Sequence, residues 1–236
     1  MHLPFLNLSI GEVPSTLKES ATQLWLRAVG ERPDLPSWKN VRHRKHAWLH
    51  SLAVKADGYR SAYEKLPAEE LMEQNRYSVE HVVPRSKIND ASDLESDPFN
   101  WILASRRANS ARSNLPLKLW LNGPGQPEEP NASFEMIDGQ LHYLPPADQR
   151  ARLSRKWLYA HATYPHDVTT PSVAQLRNLG KIVSLARKTP IHKAERQVAI
   201  ALHDLLGYSN PLLTNDAQKL YTAIDWYELL GEVEPI

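Results

Sequence analysis

The sequence predicts an α+β fold, a mostly helical single domain with a small antiparallel sheet. Three observations predict it. Several segments carry apolar residues at helical spacing between recognisable caps. The stretch YSVEHVV at 77–83 is β-branched and aromatic and reads as a strand. The stretch FEMIDGQLHYL at 134–144 sets two alternating runs around Asp138-Gly139, the signature of a two-residue hairpin turn.

The first helix is predicted over 16–29, where Thr16 and Glu19 have the spacing of a capping box. Leu17, Leu24 and Ala28 fall on one face, and Gly30 stops the helix. A second is predicted over about 36–56, with Trp38, Val41, Trp48, Leu49 and Leu52 as its apolar stripe. A third, PAEELMEQ, opens with Pro67 in its first turn and carries acids near its N-terminal end. After the strand, KINDASDLESDP reads as a polar loop. NWILASRRANSARSN has helical character, with Ile102, Leu103 and Ala104 inward. Beyond the hairpin, helices are predicted near 146–162, 171–187, 193–206 and 214–230. Asp148 and Thr214 are their candidate caps, and Gly180 is a weak point. No repeat or linker interrupts the chain. A single domain is expected over 1–236, with a helical part at 1–77 and a core at 78–115. Hairpin and helices follow at 116–213, then a last helix and acidic tail at 214–236.

A chain of 236 residues that is 42% hydrophobic and 23% charged can bury a sizeable core. With 28 basic against 27 acidic side chains, a nucleic-acid partner must meet a local basic surface and not a global one. There is no cysteine. That excludes disulfides, thiolate nucleophiles and cysteine-ligated zinc, so no structural zinc is expected, and it favours a reducing compartment. The opening MHLPFLNLSIGEVPS lacks the form of a signal peptide, and no run approaches the length of a membrane span. The expectation is a cytoplasmic protein with no membrane span.

Chemistry enters at Glu80-His81. The strand bearing them leads through a loop to Asn100, and a helix then carries Asn109 and Arg112. The order is strand, loop with a second short strand, helix. It resembles the ββα-metal (His-Me finger, HNH-like) nuclease motif. Phosphodiester hydrolysis needs an activated water and a cation to neutralise charge growing on the phosphate. Mg2+ prefers oxygen ligands and keeps several waters, so the Glu80 carboxylate and the Asn109 amide oxygen suffice to hold it. His81 then takes the proton from water, with its other ring nitrogen held by an acceptor that the sequence does not identify. Neighbouring strand residues point to opposite faces, so the strand must bulge, twist or end at this pair. Taken singly, each of these residues is more often structural than catalytic; the ordered combination carries the reading.

The resemblance sharpens to the bacterial endonuclease I family of such nucleases. EHVVP resembles that family's base-bearing strand, DPFN its DLHN element, and NSARSN its NGDRSN. PPADQRARLSRKWLYAHATYP resembles its following arginine-rich helix, and the likeness runs over roughly 78–213. It implies His81 as general base, Glu80 and Asn109 as Mg2+ ligands with Mn2+ able to substitute, and Asn100 as a brace. It also implies cleavage of DNA, with RNA left open, at low sequence specificity. The family's exported, disulfide-bonded character is not matched. Nor is its phosphate-contacting arginine, for which Arg85, Arg106, Arg107 and Arg112 all stand as candidates. Helical spacing puts Ser105, Asn109 and Arg112 on one face, which favours Arg112 near the metal.

Basic clusters that can meet DNA lie at 42–46 with Arg42, Arg44 and Lys45, at 106–112, and at 150–156. The acidic end, with Asp225, Glu228, Glu232 and Glu234, is expected to shade the basic surface. An unselective nuclease kept in the cytosol needs restraint, which suggests a regulatory protein partner and an effector of an anti-phage, antiviral defence system. Two alternatives stand beside this reading: a catalytically impaired DNA- or partner-binding module, and a site-specific restriction nuclease.

Overall fold

The structure, a computed structural model, describes residues 20–35, 52–90, 92–128 and 131–230. Helix α1 (Ala21–Val29) begins later than the sequence predicts, because Ser20 and Gln23 form the capping box. Leu17, Thr16 and Glu19 lie outside the described residues. The buried face is Ala21, Trp25 and Val29, while Leu24 and Ala28 only flank it. Trp25 decides this: its large ring packs on Trp226 at 5.8 Å, and its Nε1 donates to Thr163 Oγ1 at 3.2 Å. Gly30 ends the helix at φ 73°, a conformation favouring glycine. The helix predicted over 36–56 falls mostly outside the described residues. Helix α2 (Ala68–Glu73) follows Pro67, which sits at the N-cap and not in the first turn.

Strand β1 (Tyr77–His81) pairs antiparallel with β2 (Trp101–Ser105), and α3 (Arg106–Arg112) follows directly. The helical character predicted for 100–105 is corrected here. All five residues of β2 are buried, so the run WILAS has no polar face from which a period can be read. Ser105 closes the strand and caps α3, its Oγ accepting from Ala108 N at 3.0 Å. The loop between the strands contains 3-10 turns at Arg85–Lys87, Asp93–Glu95 and Pro98–Asn100.

Strands β3 (Ser133–Ile137) and β4 (Gln140–Leu144) form the predicted hairpin, with Asp138 and Gly139 at φ 50° and 76°. Helix α4 (Ala147–Thr163) follows. The helix predicted over 171–187 is broken into α5 (Val173–Arg177) and α6 (Leu179–Lys188). Asn178 makes the break, its Nδ2 donating to the Ala174 carbonyl at 2.9 Å. Helix α7 (Lys193–Leu206) matches its predicted span and ends at Gly207. The last predicted helix is also two, α8 (Ala217–Ala223) and α9 (Trp226–Leu230). Asp225 causes that break by accepting from the backbone N–H of Tyr227 and Glu228 at 3.0 and 3.2 Å. Neither Asp148 nor Thr214 caps a helix: Pro146 and Asp216 hold those positions.

Helix α4 is the centre of the fold, packed against α1, α6 and the Pro98–Asn100 turn. The buried hydrophobic residues form one contiguous cluster around it. Its basic run, read in the sequence as a DNA-contacting cluster, is internal. Arg150, Arg152, Arg155 and Lys156 are all buried. Arg155 forms a two-pronged pair with Glu195 at 3.0 and 2.6 Å and also donates to the Ala186 and Thr189 carbonyls. Arg150 donates to the Pro145 and Trp120 carbonyls and pairs with Glu128. Arg152 lies over the Tyr59 ring at 4.6 Å. Lys156 donates to the Phe99 carbonyl at 2.9 Å. These cations fasten α4 to its neighbours. Among the described residues no helix is long and apolar enough to cross a membrane.

Two outcomes follow from the inward cations. Glu195→Leu strands the Arg155 charge in the core, and urea denaturation is expected to show a loss of about 3–5 kcal/mol. Burial, and then Arg152, push the Lys156 amine down to about 8 from the ordinary 10.5. Between those values the unfolded chain holds the extra proton, so this group makes stability rise with pH. The stability of Lys156→Met relative to the wild type is therefore expected to fall from pH 8 to 10.5; parallel curves would refute it.

Candidate active site

Alternation along β1 sends Ser78 and Glu80 toward α3. Asn109, in the middle of α3, donates from Nδ2 to Ser78 Oγ at 2.8 Å. Arg112, at the end of α3, pairs through Nη1 with Glu80 Oε1. The same Nη1 donates to the His81 carbonyl at 3.0 Å, and Nη2 to the Val82 carbonyl at 2.7 Å. Arg112 is 1% exposed and Glu80 5%. The Tyr63 hydroxyl adds a 3.4 Å hydrogen bond to Glu80 Oε1. Burial pushes the Glu80 carboxyl above its ordinary range, against the pull of Arg112.

His81 is the last residue of β1, and no bulge precedes it: Glu80 pairs with Ile102 and His81 with Trp101. Its ring lies edge-on to Trp101 at 6.2 Å. Its Nε2 is 2.9 Å from the Glu95 carbonyl oxygen, which also accepts from Trp101 Nε1 at 3.3 Å. A carbonyl only accepts, so this contact places the hydrogen on Nε2 and makes Nδ1 the basic nitrogen of the neutral ring.

Asn100 is fully buried and grips the backbone just past His81. Its Oδ1 accepts from Val83 N at 2.9 Å, its Nδ2 donates to Val83 O at 3.2 Å, and its carbonyl accepts from Val82 N at 2.9 Å. The turn carrying Asn100 is held by Asp97, also fully buried. Asp97 Oδ1 caps Phe99 N, and Oδ2 accepts from the Tyr159 and Tyr164 hydroxyls, each at 2.8 Å. Burial raises the Asp97 carboxyl.

The structure therefore brings Glu80 and Arg112 into contact and sets Asn109 on Ser78, two residues from Glu80 along the same strand face. His81 takes different neighbours. Arg85 is exposed and pairs with the Glu95 carboxylate. Arg106 is exposed and donates to the Tyr77 carbonyl and to Asn75, both at 3.3 Å; Arg107 is exposed beside it. Arg42, Arg44 and Lys45 lie outside the described residues. Tyr63, Asp97 and the Glu95 carbonyl were missed in the sequence. Tyr63 sits in a segment without clear periodicity, and a backbone acceptor leaves no trace in residue identity. Asp97 stood inside DPFN, where its turn-capping position before proline was the available signal.

The model of the endonuclease I family matches residues 17–217, most of the chain. This chain belongs to the endonuclease I family. No curated protein matches it. An endonuclease I family member is a nuclease, a hydrolase whose substrate is nucleic acid, and the family is typically dependent on a divalent metal. Among the described residues no group of three or more His, Asp or Glu side chains gathers as a metal cage. The oxygen pair expected in this endonuclease lies outside that pattern, since it comprises one carboxylate and one amide.

Asn100→Ala leaves the Val83 N–H and C=O without partners in a buried place. A loss of about 1–3 kcal/mol for each is expected in urea denaturation; a variant as stable as the wild type would show that Asn100 braces nothing.

Proposed function

We propose that the chain is a metal-dependent DNA endonuclease of the ββα-metal, HNH-like kind, cutting with little sequence preference. In this reading His81 is the general base, and Glu80 with Asn109 hold Mg2+. The observation that carries it is the anchoring of His81 Nε2 on the Glu95 carbonyl, at the end of the strand that presents Glu80 to the helix bearing Asn109. Such an anchor orients the ring and leaves Nδ1 as the proton acceptor.

The donor set suits a hard cation. The contacts of Tyr63 and Arg112 on Glu80 both fall on Oε1, which makes Oε2 the candidate oxygen for a metal. Asn109 spends its amide nitrogen on Ser78, so its amide oxygen is the atom it has for a metal. A buried carboxylate whose charge is poorly solvated gains from a second cation beside it. Bound there, Mg2+ would supply charge neutralisation at the phosphate and leaving oxygen. His81 takes the proton from the attacking water, and the reading requires a phosphate over the end of β1 that meets both side chains. Arg112 acts through Glu80 and the strand backbone as a positioning residue. Arg85, Arg106 and Arg107 lie around the motif with exposed guanidinium groups, whose charge attracts phosphates regardless of sequence.

The test is supercoiled plasmid incubated with the protein, with Mg2+ or chelator, beside His81→Ala and Glu80→Gln. Nicked circles and then a smear are expected with metal only, and His81→Ala is expected to lose about 100-fold or more. Cleavage in chelator, or a fully active His81→Ala, would overturn the assignment. Discrete fragments would instead favour a site-specific nuclease, and an RNA substrate run in parallel decides whether RNA is also cut.

A further inference from the structure

Behind the end of β1 lies a cavity of about 100 Å3 that the proposed chemistry leaves unused. Its floor includes Arg112, Trp157 and His161, all buried; its mouth includes Lys87 and Thr170, both exposed. Glu80, His81 and Asn109 are not among its lining residues, yet Val82, Val83 and Pro84, the next three residues of the chain, are. The wall opposite is pinned in place: Thr169 N donates to the Lys87 carbonyl at 2.9 Å and Asn89 N to the Asp167 carbonyl at 2.7 Å.

Two polar side chains lining the cavity carry N–H groups without protein partners, and one of these groups is fully buried. His161 is 6% exposed, its ring tilted against Trp157 at 4.4 Å, and it takes no hydrogen bond among the described residues. Burial alone moves its pKa, pushed down to about 3, so at neutral pH it offers one N–H and one lone pair. The Arg112 Nε–H is buried without an acceptor. An unmade hydrogen bond at a buried group costs free energy, and the Arg112 Nε–H beside the unpartnered His161 ring in one cavity points to a ligand that engages both. The charge of that ligand follows from the lining. In a chain with 27 acidic side chains, none of the described residues lining this cavity is acidic; Lys87 and Arg112 are cationic, Arg112 sharing its charge with Glu80, and the neutral His161 ring adds an N–H donor. The volume is several times what one water occupies, so a tetrahedral oxyanion has room.

We propose that this cavity binds a phosphate group, that of a nucleic-acid phosphodiester flanking the one being cut, held by His161, Lys87 and the Arg112 Nε–H. The choice of a strand phosphate over free phosphate rests on the nuclease reading above, because residues 82–84 join the cavity directly to His81. The cavity's preference for an oxyanion does not depend on that reading.

The full chain in chelator is titrated with inorganic phosphate while the His161 ring signals are followed by NMR. Separately, KM and kcat are measured with Mg2+ on single-stranded oligonucleotides. The variants are Lys87→Met, at an exposed position, and His161→Phe, which keeps a ring against Trp157. A saturable shift of His161 is expected, weakened about tenfold in Lys87→Met; in His161→Phe the indole signal of Trp157, which lines the same cavity, is followed instead, with a like weakening expected, the effect of one charge-assisted hydrogen bond. KM is expected to rise about tenfold in each, with kcat within about twofold. Saturable phosphate binding with unchanged KM would overturn the strand subsite and leave a site for free phosphate. No saturable shift and wild-type KM in both variants would overturn the proposal. The titration needs neither metal nor nucleic acid, so phosphate binding by a protein that cleaves nothing would sink the nuclease reading and not the cavity's ligand.

Discussion

Everything at the candidate site hangs on one buried cation. Removing a guanidinium from water costs several kcal/mol unless its charge is paired and its N–H groups find acceptors. Arg112 meets most of that demand with the Glu80 carboxylate and the carbonyls of His81 and Val82. Those three acceptors belong to consecutive residues of β1 and its end, and the donor belongs to α3. The last turn of the helix is thereby fastened to the end of the strand. Asn109, one turn earlier, is fastened in the same way to Ser78. The two fastenings fix the helix on the strand face at its middle and its end, so the separation of Asn109 from Glu80 is set by rigid elements and not by loop conformation.

A second layer holds the strand end from the other side. Asn100 replaces the ladder bonds that β1 would have made had it continued past His81, and Asp97 keeps the Asn100 turn closed. The tyrosines on Asp97 come from α4 and the residue just beyond it, and Lys156 of α4 caps the Phe99 carbonyl. The site is therefore coupled to the central helix through a chain of buried hydrogen bonds. Such a network is rigid when each member is satisfied and costly when one is lost.

The ordered set Glu80-His81, Asn100, Asn109 was legible because its signal is residue type at a spacing. The hairpin was legible because Asp138-Gly139 names its own turn, and α7 because a lone apolar stripe ends at a glycine. What was not legible depended on tertiary context. The run WILAS reads as helix or strand until one knows that both its faces are covered. Asn178 and Asp225 break helices by local side-chain bonds that compete with continuation, and apolar periodicity passes through them unchanged. The run RARLSRK looks like a DNA face because arginine and lysine are usually exposed. Here Glu195, Glu128 and several main-chain carbonyls wait inside, and no feature of the run itself announces them.

That inward placement changes how the molecule can meet a polyanion. With the cations of α4 spent on the core, the exposed positive groups near the motif are Arg85, Lys87, Arg106 and Arg107. Arg85 is shared with Glu95, so its charge is partly neutralised at the surface. Two described acids near the C-terminal end are similarly committed, Asp225 closing the start of α9 and Glu228 accepting from Ala21 N at 3.3 Å, while Glu232 and Glu234 lie outside the described residues. Among the described residues, attraction for phosphates is then concentrated near the β1–α3 unit. A protein that neutralises few phosphates gives up little affinity as salt rises. Under the proposed metal-dependent mechanism, productive engagement would lean on a cation held by Glu80 and Asn109, so that substrate binding and chemistry would draw on the same charge.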